Sequence, residues 1–470
     1  MTEAELAGLT TQQAARLIRE RKLSPLELTR TCLDRIRRHN SELHAFVTVL
    51  EEPVLEEARQ AEQTLMRKDR VGLLHGVPLA LKDCFAIQGV RMTGGSKLLA
   101  NNVPKQDCTV VERLRKAGAL FVGTLNMHEF ALGATTANPH YGEARNPWEH
   151  DRIPGGSSGG SAVAVAASMC LGSMGTDAGG SVRLPAALCG IVGLKPTYGR
   201  VSRNGTLPLS FSLDHSGPMT RTVADAALML EIVAGADPFD IDCSKREVPN
   251  YLEALTGQID GLKVGLPKEY LADAMDDEVR AAFTKALAVL QNGGAVVEEV
   301  SLPRSHFGPH ALVAIALSET SALHAADLRS HPDQYSDSMR ALLYAGTLIP
   351  ARRYVQAGLA RAALIEDQRA ALRRSDVLAL PTVVVPAPRV GETAVKLGGR
   401  TVNVDAALPR LTLPFNLSGL PAISVPCGLT GEGLPIGLQI IGKPFAEATI
   451  LNVAHAYERN TSWHERRPTL

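Results

Sequence analysis

The stretch Gly155-Gly156-Ser157-Ser158-Gly159-Gly160-Ser161 runs directly into Ala162-Val163-Ala164-Val165-Ala166-Ala167-Ser168-Met169. A flexible Gly/Ser linker would not enclose such a run, because a segment that is apolar on every side must be buried. Next come Leu171-Gly172-Ser173-Met174-Gly175-Thr176-Asp177 and Ala178-Gly179-Gly180-Ser181-Val182-Arg183. Residues 152–196 therefore read as loop, buried helix, short strand, tight turn and helix start.

The flanks continue this alternation. Gly76 to Leu81 reads as a buried strand ending on Lys82-Asp83, Val110 to Ala117 as a helix and Ala119 to Gly123 as a strand. Further strands are predicted at 262–266, 295–300, 377–380, 422–425 and 437–441. Helices are predicted near 277–291 and 445–459, and 308–375 reads as mostly helical. Residues 9–40 predict two amphipathic helices, the second opened by the cap-and-first-turn pair Ser24-Pro25, and Glu56 to Arg67 another. Short apolar strands alternating with helices predict an α/β fold with helices on both faces of the sheet. A single unit over 1–470 is expected. It comprises N-terminal helices (1–67), a catalytic core (68–240), a variable, mostly helical pocket region (241–375) and a return to the core (376–470).

Composition narrows the function. Lys plus Arg and Asp plus Glu are both 49, so zero formal net charge gives no case for a nucleic-acid or membrane-surface partner. Seven scattered cysteines without a CxxC pair suit reduced thiols. The N-terminus lacks a signal-peptide pattern and Ala162–Met169 is too short to span a bilayer, so a cytoplasmic protein is expected. No HExxH, Cys/His cluster or GxxxxGK[ST] occurs, and neither a metal nor another cofactor is expected.

Three residues carry candidate chemistry. An apolar strand delivers Lys82 into a turn, where an ammonium is costly to desolvate. Lowering a lysine from about 10.4 to near neutrality is worth about 4 kcal/mol, which burial can supply, and a neutral lysine is a competent base. Pairing with Asp83 is the plain structural alternative. Ser181 follows Gly179-Gly180 and precedes a helix start, so the backbone N–H groups of Ala178, Gly179, Gly180 and Ser181 form a candidate oxyanion hole. A serine N-cap on a glycine turn is the alternative there. Ser157 lies 24 residues earlier; one helix out and one strand back would return the chain to the same sheet edge. A Gly/Ser loop without chemistry is its alternative.

Several long motifs occur in order: Gly76-Val77-Pro78-Leu79-Ala80-Leu81-Lys82-Asp83, Asn126-Met127-His128-Glu129-Phe130-Ala131, the two Gly/Ser stretches, Cys189 to Thr197, and Gly433 to Gln439. In these the chain resembles the amidase signature family, to which the glutamine-hydrolysing component of glutamyl-tRNA(Gln) amidotransferase is related. The resemblance covers nearly the whole chain and is weakest from 240 to 375. It implies a large mixed β-sheet covered by helices and hydrolysis of a small linear amide. Anilides, small esters, carbamates or ureas would be side substrates. It also implies three roles: Ser181 forms an acyl-enzyme, Ser157 (after a cis peptide bond from Gly156) relays the proton, and Lys82 is the general base. A homodimer is a family-level expectation. The chain departs from the common pattern at Ala178, where many members have Thr, and at Gly123-Thr124-Leu125-Asn126.

Three rival readings remain. Gly155-Gly156-Ser157-Ser158-Gly159 fits GxSxG, which would make Ser157 an α/β-hydrolase nucleophile with a histidine such as His455. That elbow needs a strand before it, and 146–154 does not read as one. A glutamine-hydrolysing component of the tRNA-dependent amidotransferase would need an acidic and a basic residue for the α-amino and α-carboxyl groups. Those positions align with Pro409 and Leu342, with Arg340 nearby, which favours a stand-alone amidase with a less polar substrate. A degenerate ligand-binding member would lack the catalytic set, which is filled here. Pocket walls are expected from residues 127–141 and 300–350, with Leu312, Tyr344 and Leu348 as apolar candidates.

Overall fold

A computed structural model describes residues 1–67 and 69–470; residue 68, the first of the expected core segment, lies outside the described residues. Among the described residues, eleven strands form one mixed sheet. They are β1 (Phe46–Val49), β2 (Pro78–Lys82), β3 (Leu120–Leu125), β4 (Gly172–Asp177), β5 (Val192–Lys195), β6 (His215–Thr220), β7 (Lys263–Pro267), β8 (Val296–Val300) and β9 (Val377–Pro381), then β12 (Ala422–Leu429) and β13 (Pro435–Gly442). Between the last two groups, β10 (Ala394–Leu397) and β11 (Arg400–Asn403) form a separate antiparallel hairpin. The sheet order is β1-β3-β2-β4-β6-β5-β12-β13-β9-β7-β8. Parallel pairs such as β2 with β3 and β4 sit beside antiparallel ones such as β4 with β6 and β12 with β13.

Alternation along single strands shows that both faces are covered. In β9, Val377 and Ala379 join one apolar cluster, whereas Leu378 and Leu380 join another. Side chains two apart share a face, so the two clusters lie on opposite sides of the sheet. The helices pack there: Arg183–Cys189 and Glu447–Arg459 both contact β12 and β13.

The centre of the chain follows its predicted order: loop, helix Gly159–Ala166, β4, turn, helix Arg183–Cys189. Every residue of Gly159–Ala166 is buried, as its all-round apolarity requires. Gly160 N donates to Asn126 O at 3.1 Å. A Cβ on Gly160 would lie 2.5 Å from that same oxygen, so only glycine permits the approach. No strand precedes Ser157 in 146–154, which removes the local geometry an elbow nucleophile needs.

Periodicity does not predict strands β1, β5 and β6. β6 is the instructive case: Gly217 and Pro218 interrupt it, yet it pairs with β4 from Gly172↔Thr220 to Asp177↔His215. Its burial comes from neighbours distant in sequence, not from its own β propensity. Among the described residues, no helix is long and apolar enough to cross a membrane.

Candidate active site

Lys82 ends β2 and is fully buried. Its Nζ lies 2.7 Å from Ser157 Oγ and donates to Thr176 Oγ1 at 2.8 Å. Thr176 is the penultimate residue of β4, the strand beside β2, so two adjacent strand ends fix the amine. Among the described residues no carboxylate pairs with Lys82. The Asp83 carboxylate instead accepts from Thr93 N at 3.1 Å and from the Thr93 hydroxyl. Burial pushes Lys82 down to about 8, because a low-polarity environment disfavours the charged form.

The Gly156–Ser157 peptide bond is cis. Its loop is held by Thr136, whose Oγ1 donates to Gly155 O at 2.8 Å and accepts from Gly159 N at 3.0 Å. The Asn126 side chain donates to His44 O and Gly142 O at 2.9 and 2.8 Å, tying the same region to the N-terminal helices.

Ser181 sits on the turn after β4. One buried carboxylate shapes that turn. Asp177 accepts from Gly180 N at 2.7 Å, Val182 N at 3.2 Å and Asn416 Nδ2 at 2.8 Å. Arg183 Nε and Nη2 each reach it at 3.0 Å. Burial raises the Asp177 carboxyl, but the Arg183 guanidinium and its hydrogen bonds more than offset this and hold it below the usual carboxylate range. Arg183 is itself fully buried and also donates to Thr412 O, Gln439 Oε1 and Asn416 Oδ1 at 3.0, 2.6 and 2.7 Å.

The expectation for Gly180 needs a correction. Its N–H is engaged by Asp177 and faces that carboxylate, leaving the amides of Ala178, Gly179 and Ser181 as oxyanion candidates. Gly180 is constrained for another reason. Its φ is 135°, and a Cβ there would lie 2.1 Å from Thr412 Oγ1, which donates to Gly179 O at 2.7 Å. Gly180→Ala is expected to displace the turn and cut amide turnover on the order of a hundredfold, the scale of losing one oxyanion donor. Steady-state kinetics checks this; a loss below about threefold would rule out a turn that tight.

A cavity of about 610 Å³ opens onto Ser181, with Gly156 and the Ala178–Gly180 backbone along it. Residues 128–137 contribute His128 and Thr135; helices Gly308–Leu323 and Asp337–Thr347 contribute Leu312, Met339 and Leu342; Pro409 also lines it. The pocket expectation holds for Leu312 but not for Tyr344 and Leu348. Those two are 48% and 79% exposed and lie outside the cavity lining. Sequence reasoning missed Thr176, Thr136, Thr412, Asn416 and the structural roles of Asp177, Arg183 and Gln439. Asp177, Arg183 and Gln439 lie inside the ordered motifs; the others are single polar residues with no pattern around them.

Known proteins share this architecture. The A chain of glutamyl-tRNA(Gln) amidotransferase from Moorella thermoacetica is 41% identical over 489 aligned positions, covering 99% of each chain. A solved structure described as an amidase aligns with TM-score 0.89 and 37% identity over 96% of this chain and 99% of that one. Another comes from work on a vestigial protein complex and the evolutionary origins of an s-triazine catabolic enzyme. It aligns with TM-score 0.93 and 33% identity over 98% of this chain and 100% of that one. The amidase family model matches residues 27–451, a span that contains both serines, the buried lysine and the cavity they face, and the chain belongs to that family of C–N hydrolases.

Proposed function

We propose that the chain hydrolyses linear carboxamides through an acyl-enzyme on Ser181, with Ser157 as proton relay and Lys82 as general base. The supporting observation is a buried amine 2.7 Å from Ser157 Oγ with its pKa lowered to about 8. A charged ammonium can only donate to that hydroxyl; the neutral amine has a lone pair that can accept from it. In acylation the Ser157 proton passes to Lys82 Nζ while Ser157 takes the proton of Ser181 Oγ. Ser181 Oγ bonds to the carbonyl carbon, and the backbone amides of Ala178, Gly179 and Ser181 stabilise the resulting oxyanion. The C–N bond breaks as the departing nitrogen receives the proton back through Ser157. Water then repeats the relay and releases the acid.

This reading fixes a pH dependence. The base must be neutral, so kcat/KM rises through about pH 8 and levels off above it. Below that midpoint Lys82 is protonated and inactive. A profile flat between pH 6 and 9 would remove Lys82 as the base.

A second reading has one observation in its favour, the 41% identity to a chain of glutamyl-tRNA(Gln) amidotransferase. As a component of such an enzyme the chain would hydrolyse glutamine within a complex of partner proteins. Against it, an apolar Leu342 and Pro409 line the cavity, at the positions where the resemblance places a basic and an acidic residue for glutamine. Ammonia and amine release by the purified chain, across aliphatic amides, aryl amides, glutamine, ureas and carbamates, separates the two. The first reading expects aliphatic or aryl amides to exceed glutamine.

A further inference from the structure

The cavity at Ser181 has two unlike parts. One is apolar: Leu312, Ala316, Leu317, Met339 and Leu342 come from two helices. It adjoins the nucleophile's turn, since a Cβ on Gly179 would lie 3.7 Å from Leu312 Cδ2. The other carries carboxylates: Glu143, Glu392 and Asp405. Glu143 pairs with Arg145 at 3.3 Å. Asp405 Oδ1 accepts from Ala134 N at 2.9 Å and Glu392 accepts from Arg389 N at 3.0 Å, so both are anchored by backbone donors that leave their charge in place. Among the described residues, no lysine or arginine lines the cavity. His128 does not offset them, because burial lowers its pKa against the opposing pull of Asp405 and Glu129 and keeps the imidazole neutral.

Fixed charge of one sign around a partly enclosed site repels ligands of the same sign and favours the opposite one. We infer that this cavity sorts amides by charge, taking those with an apolar segment and a neutral or ammonium end and excluding those that carry a carboxylate. Glu392 and Asp405 are then specificity-determining residues. The inference rests on the acyl-enzyme reading, because it places the reacting amide in this cavity.

Three O-ethyl alkylphosphonofluoridates of equal chain length, ending in methyl, ammonium or carboxylate, test it. Each forms the same Ser–O–P bond and expels fluoride, so only the terminus differs. At pH 7 and low ionic strength the ammonium probe is expected to label at least about tenfold faster than the carboxylate probe. The ratio should shrink in about 0.5 M salt, because Glu392 and Asp405 are exposed and screened. In Glu392→Gln/Asp405→Asn, which keeps size and acceptor oxygens, the ratio should fall at least about threefold, with the methyl probe reporting an intact nucleophile. Equal labelling by the two charged probes in the parent protein, or a ratio indifferent to salt, overturns the inference whether or not the double variant folds. Labelling by none of the three, methyl included, instead defeats the acyl-enzyme reading, and the charge inference falls with it.

Discussion

Ser181→Ala is expected to lower kcat for amide hydrolysis by a factor on the order of 10⁶, and Lys82→Met by a comparable factor. The argument is that the groups act as one unit. Without Ser181 no acyl bond forms; without the Lys82 amine, 2.7 Å from Ser157 Oγ, the relay has no acceptor for its proton. The double variant should therefore be no worse than either single one, since the second substitution removes nothing still in use. Methionine is preferred to alanine at 82 because the side chain is fully buried and a cavity there would confound the measurement. Ammonia release under saturating amide reads the effect, with near-ultraviolet circular dichroism as the folding control. Additive losses, or Lys82→Met keeping more than a few per cent of the parent rate, would sink the relay.

The second large effect is on stability. Arg183→Met should destabilise the protein by roughly 3–5 kcal/mol, because it leaves the buried Asp177 carboxylate without its cation. The partners are both about as buried as side chains become, at 0% and 1% exposed. Thr412 O, Gln439 Oε1 and Asn416 Oδ1 lose their donor as well. Equilibrium urea unfolding measures the change, and a shift below about 1 kcal/mol would refute it. The same carboxylate sets part of the acid limit. Its folded pKa is depressed, so its contribution is complete above the unfolded value of about 3.9 and is lost as pH falls toward the folded value. Arg183→Met should therefore weaken the stability loss on going from about pH 5 to pH 2.

What can be read in the sequence follows from how local each determinant is. β9, Val-Leu-Ala-Leu-Pro, carries its identity in its own residues, and so does the buried helix Gly159–Ala166. β6, His-Ser-Gly-Pro-Met-Thr, does not; it is a strand because β4 and β5 hold it. The site divides in the same way. Lys82, Ser157 and Ser181 sit in stretches whose composition is informative by itself. Thr176, Thr412 and Asn416 are ordinary polar residues until the fold brings them against Lys82 Nζ, Gly179 O and Asp177. Gly180 shows the limit of motif reasoning: its place in the turn is legible, but the direction of its N–H is not.

The hairpin β10–β11 is paired only with itself, yet Asn403, its last residue, and Glu392, just before it, line the cavity. The nucleophile's turn is instead rooted in the central sheet through β4. Substrate range and bond-breaking capacity are thus written on separable pieces of chain. A lineage, or a directed library, could exchange residues 391–405 and acquire a new diet while inheriting the old chemistry intact.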